Sequence, residues 1–152
     1  MRIAILSDIH GNLTAFEAVL SDLRDVSPDL VLHAGDLADT GCGPTEIVDR
    51  IRELKWHGVM GNTDEMLVRP EALETFARAS SAPPSLWDAV RESAAATRDA
   101  LGEDRLEWLR DLPLTLREPD FAIVHATPEN AWRTLPEHAS QIEIELNRRT
   151  TA

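Results

Sequence analysis

The sequence predicts an α/β domain built on a parallel sheet. Short apolar runs at 2–6 (RIAIL), 30–34 (LVLHA) and 57–60 (HGVM) have the length and bounded character of buried parallel strands. Segments of helical period separate them, so strand and helix alternate and right-handed crossovers follow. Each run also stops at a polar loop, in the place where functional groups gather in such sheets.

From Asn12, the expected N-cap, Leu13, Phe16, Val19, Leu20 and Leu23 fall on one helical face, and Pro28 closes that helix. The second strand runs into GDLADTGCGP, whose Pro44 suits the first turn of a helix through EIVDRIREL. Ile47, Val48, Ile51 and Leu54 align there, and the third strand ends in GNTDE. Residues 66–84 are mixed in pattern, with SSAPPS (80–85) reading as a loop. Residues 85–101 and 103–112 read as helices. PLTLRE and FAIVH flank the turn-forming pair Pro119-Asp120, which predicts a β-hairpin over 113–125. A last helix is expected from about Pro136 to Arg149, with Ile142 and Leu146 on one face. No repeat, low-complexity segment or long linker appears, so residues 1–152 are expected to form a single domain.

The bulk numbers exclude some classes of function. The formal net charge of −12 and pI near 4.7 speak against an electrostatic grip on nucleic acid or an anionic membrane. Acidity leaves phosphorylated substrates open, because bound divalent cations would reverse the local field. Cys42 is the single cysteine, which rules out an internal disulfide and a cysteine-rich zinc site. The apolar part of MRIAILSD is too short for a signal peptide or a membrane span. A soluble, cytoplasmic protein is expected.

The strand-end motifs carry the chemistry. Asp8-Ile-His10, Gly35-Asp36, Gly61-Asn62-Thr-Asp64 and His125 each follow a predicted strand. Singly, each occurs by chance in many proteins. Together they offer oxygen and nitrogen donors and no thiolate, a set suited to manganese, iron, zinc or magnesium. Two metals about 3.5–4 Å apart need a carboxylate between them, and Asp36 stands between the other donors in sequence order.

SDIHGN, AGDLADTGCGP, VMGNTDE and IVHATPE resemble, in order and rough spacing, the motifs of the calcineurin-like metallophosphoesterases. The likeness is to the bacterial branch related to diadenosine tetraphosphatases and serine/threonine protein phosphatases, and it covers nearly the whole chain. It implies the N-terminal part of a four-layer αββα sandwich, C-terminally truncated. It also implies two divalent metal ions, Mn²⁺ first, with Fe, Zn, Ni or Mg as alternatives. By resemblance, Asp8 and His10 are ligands of the first metal, Asp36 bridges, and Asn62 and His125 bind the second. Asp36, Asn62 and His125 are then the catalytic set. The implied reaction is hydrolysis of a phosphomonoester or phosphodiester, nucleotide or phosphoprotein, by a hydroxide that the metal pair activates.

Two departures from the family pattern stand out. Thr63 occupies the place where many relatives carry a histidine that protonates the leaving group, which leaves Asp64 as a helix cap or supporting residue. The family's later Gly-His-x-His has no counterpart after His125, and His138 in PEHAS lacks the motif's glycine and second histidine. The alternative is therefore a truncated, weak or inactive member that binds metal or a partner. Self-association through the exposed part of the second sheet, giving a homo-oligomer, is expected for the same reason.

Some polar and aromatic residues have plainer readings. His33 is expected to be a satisfied core histidine, His57 a strand-start residue, and Cys42 part of a glycine-flanked turn. Trp56, Trp87, Trp108 and Trp132 read as packing residues. No second Asp stands where a haloacid-dehalogenase phosphatase would need it, and neither G-x-S-x-G nor G-x-G-x-x-G is present.

Overall fold

β1 (Ile3–Leu6) pairs in parallel with β2 (Leu30–His33), and β2 in turn with β3 (His57–Gly58). The computed structural model describes residues 1–136 and Ser140. The crossovers are α1 (Leu13–Val26) and α2 (Pro44–Leu54), so the expected strand–helix alternation is present. Asn12 caps α1 by accepting the Ala15 N–H at 3.1 Å, and Pro44 opens α2. β3 is shorter than the apolar run, because the Met60 N–H leaves the sheet and donates to the Pro113 carbonyl at 2.9 Å.

The mixed stretch after β3 folds as two short helices, α3 (Asn62–Val68) and α4 (Pro70–Ala79). Pro70 accounts for the break. It cannot continue the ladder of α3 and disfavours helical backbone at Arg69, which sits at φ −137°, ψ 78°. α5 (Pro84–Arg110) changes direction at Gly102, whose φ of +68° and ψ of 169° are not helical. The two helices expected around that glycine are thus its two arms. β4 (Thr115–Arg117) and β5 (Ala122–Val124) pair antiparallel as the expected hairpin, with Glu118 N–H donating to Phe121 O across its tip. The expected last helix and His138 lie outside the described residues, apart from the helix's first residue, Pro136, and Ser140.

The period of two along β2 separates two cores. Leu30 and Leu32 face the hairpin, where Val59, Ile123, Leu116 and Phe121 meet them. Val31 faces the helices, where Leu6, Phe16, Ile47, Ile51, Leu67, Leu101 and Leu109 form the larger core. Helices, parallel sheet and hairpin therefore stack in three layers among the described residues. β1 departs from the expectation of burial: it lies at the sheet edge, and Ile5 is 55% exposed. Ile5 shares a face with Ile3, but the hairpin is centred on β2 and does not reach it.

The aromatic residues pack as expected. Trp56 meets Phe16 edge-on, Trp87 and Trp132 both contact Phe76, and Trp108 lies against His33. His33 is fully buried, but neither ring nitrogen has a hydrogen-bond partner among the described residues, which corrects the expectation of a satisfied histidine. Burial, followed by the charge of His57, pushes its pKa down to about 4. The ring therefore packs as a neutral group.

Candidate metal centre

The loop after β1 is laid against the loop after β2 by backbone hydrogen bonds. Asp8 N–H donates to Gly35 O, His10 N–H to Asp36 O and Gly11 N–H to Leu37 O, at 3.1, 3.0 and 2.9 Å. Holding that path puts Asp8, His10 and Asp36 in the left-handed region, at φ +57°, +49° and +57°. Non-glycine residues adopt it at a cost, and it persists where the surroundings over-determine it. The loop after β3 packs onto the same place. A Cβ on Gly61 would fall 2.0 Å from Asp36 Oδ1, so only glycine allows this approach.

Asp36 lies at the centre, its side chain 4% exposed. Its Oδ2 is 3.5 Å from His10 Nε2, which is also 3.7 Å from Asp8 Oδ1. Its Oδ1 faces the other way, 3.6 Å from His125 Nε2, and His125 Nε2 is 3.0 Å from Asn62 Oδ1. Asp8, His10 and Asp36 bring donor atoms within 4.8 Å of one another. The five residues singled out in the sequence thus meet at one place. They divide into two groups, one around each oxygen of Asp36.

Both histidines are oriented alike. Nδ1 of His10 is 3.3 Å from the Asp39 carbonyl, and Nδ1 of His125 is 2.7 Å from the Ala34 carbonyl. A carbonyl only accepts, so each Nδ1 is the donor of its bond and each Nε2 is the ring atom turned toward the centre. Thr63 adds a backbone N–H to Asp36 Oδ1 at 2.9 Å, while its hydroxyl is buried with no partner among the described residues.

Asp64 supports this arrangement from below. Its carboxylate accepts N–H groups from Asp36, Leu37 and Gly61, at 2.8, 2.9 and 3.0 Å. The last of these caps α3, the role expected for it. Burial, and then the charge of Asp36, pushes the Asp64 carboxyl up to about 6, against the pull of those donors. Asp39, not singled out in the sequence, is 1% exposed and joins this loop to α5 through Thr97. Its position three residues beyond Asp36 was the available signal.

A buried carboxylate needs compensating charge, and the basic side chains within 4 Å of Asp36 among the described residues are two imidazoles, His10 and His125. Oxygen and neutral imidazole donors converging on it fit a hard or borderline divalent cation. The comparisons with known proteins agree. The sequence profile of the calcineurin-like phosphoesterases matches residues 1–147. The chain belongs to that family. An uncharacterised protein of Methanocaldococcus jannaschii is 31% identical over 147 residues, covering 92% of this chain and 56% of that protein. The symmetrical bis(5'-nucleosyl)-tetraphosphatase of Aromatoleum aromaticum is 30% identical over 149 residues, with 95% and 51% covered. The crystal structure of a metallophosphoesterase from Sphaerobacter thermophilus superposes with a TM-score of 0.73 at 28% identity, over 100% of this chain and 57% of that one. The chain spans about half the length of the curated relatives it matches.

The frame for this site is thus the metallophosphoesterase fold, of the α/β class. No helix among the described residues is long and apolar enough to cross a membrane.

Proposed function

We propose that this calcineurin-like chain hydrolyses phosphoesters with a pair of divalent cations held by Asp8, His10, Asp36, Asn62 and His125. The observation that carries the proposal is the division of Asp36, whose Oδ2 faces His10 and whose Oδ1 faces His125. A carboxylate placed so serves two cations better than one. Asp8 and His10 would complete one set of ligands and Asn62 and His125 the other. When bound, such a pair supplies Lewis acidity toward phosphoryl oxygens and an activated water.

The rest falls to the chain's own groups. The Nδ1 bonds of His10 and His125 to backbone carbonyls hold both rings with Nε2 turned toward the centre, where a cation would bind it. The Asp64 clamp fixes the Asp36 backbone. Asp8, with a 58% exposed side chain, marks the open side from which substrate would enter.

A phosphomonoester or phosphodiester is the proposed substrate, carried on a small molecule or a protein, and the protein is proposed to act in the cytoplasm. The symmetrical bis(5'-nucleosyl)-tetraphosphatase of Aromatoleum aromaticum makes nucleoside polyphosphates the first class to test. Mn²⁺ is the first metal to test. The experiment is metal analysis of protein purified without added metal, together with bis(p-nitrophenyl) phosphate hydrolysis before and after chelation. Turnover that survives complete metal removal would end the proposal.

A further inference from the structure

Two histidines present Nε2 to the centre, but their Nδ1 atoms are anchored differently. His125 rests on the carbonyl of Ala34, at the end of β2, where the Ala34 N–H is itself bonded to Leu6 O at 2.8 Å. The sheet holds that anchor. His10 rests on the carbonyl of Asp39, in a loop where Thr40 is at φ +77°. The anchor of His10 must be held by something else.

The Asp39 side chain supplies the hold. Its Oδ1 accepts the Thr97 hydroxyl at 2.8 Å and the Ser93 hydroxyl at 3.4 Å, both from α5. Its Oδ2 is buried with no partner among the described residues. The carboxylate therefore stays in place chiefly through one short bond, made to a residue 58 positions away and itself 7% exposed. Close packing carries that position on to His10, because the next glycine, Gly41, lies so near that a Cβ on it would be 2.2 Å from the His10 carbonyl oxygen.

We propose that Thr97 is a positioning residue for His10: through Asp39 it holds the carbonyl that keeps the proton on His10 Nδ1 and leaves Nε2 open to a cation. Removing the hydroxyl leaves a buried carboxylate short of donors. Such a group turns toward water rather than stay unpaired. The loop then moves, its carbonyl leaves Nδ1, and the neutral ring divides between two tautomers. The tautomer with the proton on Nε2 cannot bind metal through that atom. His125, anchored by the sheet, is unaffected, which separates this effect from general damage.

The part of the inference that concerns affinity rests on the metal-centre proposal, but the tautomer does not. The test uses the full ¹⁵N-labelled chain, stripped of metal, at about pH 9, well above the ordinary imidazole value. Long-range ¹H–¹⁵N spectra, assigned with single histidine variants, read the tautomers of His10 and His125 in wild type, Thr97→Val and Thr97→Ser. Calorimetric titration with Mn²⁺ follows. Wild type is expected to hold both rings with the proton on Nδ1. Thr97→Val should mix the tautomers of His10 alone and weaken Mn²⁺ binding at the site His10 would serve by about 10–100-fold, the usual loss when a supporting partner is removed. Thr97→Ser should restore both. A wild-type His10 with its proton on Nε2 would overturn the inference, whether or not the valine variant folds. So would a folded valine variant with wild-type tautomers and Mn²⁺ affinity, or one in which both histidines change alike. If the tautomers behave as expected but wild type binds no Mn²⁺, the metal-centre proposal fails and the positioning of His10 stands.

Discussion

Asp64 accepts the backbone N–H of Asp36 at 2.8 Å, from a side chain with no solvent exposure. Through two further bonds, from Leu37 and Gly61, it ties the loop after β2 to the loop after β3. Truncation to alanine would strand three buried donors, each worth about 1–3 kcal/mol when left unpaired. Asp64→Ala should therefore lose about 3–5 kcal/mol of stability after partial relaxation. Asp64→Asn should lose about 1–3 kcal/mol, since its amide turns an NH₂ toward at least one of those donors. Urea unfolding of the metal-free protein measures both. A loss below 1 kcal/mol in the alanine variant would show that the clamp is dispensable.

Asp36→Asn is expected to cost more metal and more activity than any other single substitution in the centre. Each of its oxygens serves a different histidine, so the change weakens both groups of ligands at once. The loss in Mn²⁺ affinity should exceed the roughly 100-fold upper range for supporting residues. Titration with Mn²⁺ beside the same change at Asp8 ranks the two. Equal affinity and turnover in the Asp36 variant would remove it from the site.

The strand-end residues were legible because a parallel sheet delivers the ends of its strands to one crevice, whatever the later packing. Asp8, His10, Asp36 and Asn62 were placed by that rule, while His125, after the antiparallel strand β5, came from the family's motif order, and the structure gathers all five. α3 and α4 were illegible because Pro70 cuts their periodicity into pieces of 7 and 10 residues, too short to stand out. The exposure of Ile5 could not be read either. An apolar run gives the strand, but whether its neighbour covers it depends on where a distant hairpin docks. Thr97 was invisible for a related reason: its bond to Asp39 spans two elements whose approach no local pattern encodes.

His33 makes stability depend on pH with a definite sign. Its folded pKa is about 4, below the ordinary value of 6.5, so the unfolded chain takes up a proton first as pH falls. The contribution is intact above about pH 6.5 and is lost progressively as pH drops toward 4. The full shift corresponds to roughly 3 kcal/mol. Thermal unfolding of metal-free wild type and His33→Leu between pH 7.5 and about 4.5 isolates this histidine from the other titrating groups. Parallel pH profiles for the two proteins would show that the buried ring is not the cause.

Homo-oligomer formation, expected from the sequence at the second sheet, has a concrete surface to test on the first. Among the described residues β1 pairs on one side only, and Ile5 is 55% exposed on it. An unpaired edge carrying an exposed apolar side chain is a template for another strand, and a lysine there opposes pairing. Ile5→Lys should lower the mass seen by light scattering toward that of a monomer. An unchanged mass in the variant would place any association elsewhere.

Thr63 predicts how the rate should depend on the leaving group. Its backbone N–H is committed to Asp36 Oδ1 at 2.9 Å, and its hydroxyl is buried with no partner among the described residues, so Thr63 offers no proton donor of useful acidity. A positioned general acid contributes about 10²–10⁴-fold. Without one, the departing oxygen must leave as an anion, and the barrier rises with its basicity. Aryl phosphodiesters should be turned over far faster than alkyl esters such as phosphoserine, with the logarithm of the rate falling steeply against leaving-group pKa. A series of substituted phenyl esters measures that slope on the manganese-loaded protein. A flat series, with alkyl and aryl esters equally fast, would mean that another group protonates the leaving oxygen or that a step other than P–O cleavage limits the rate.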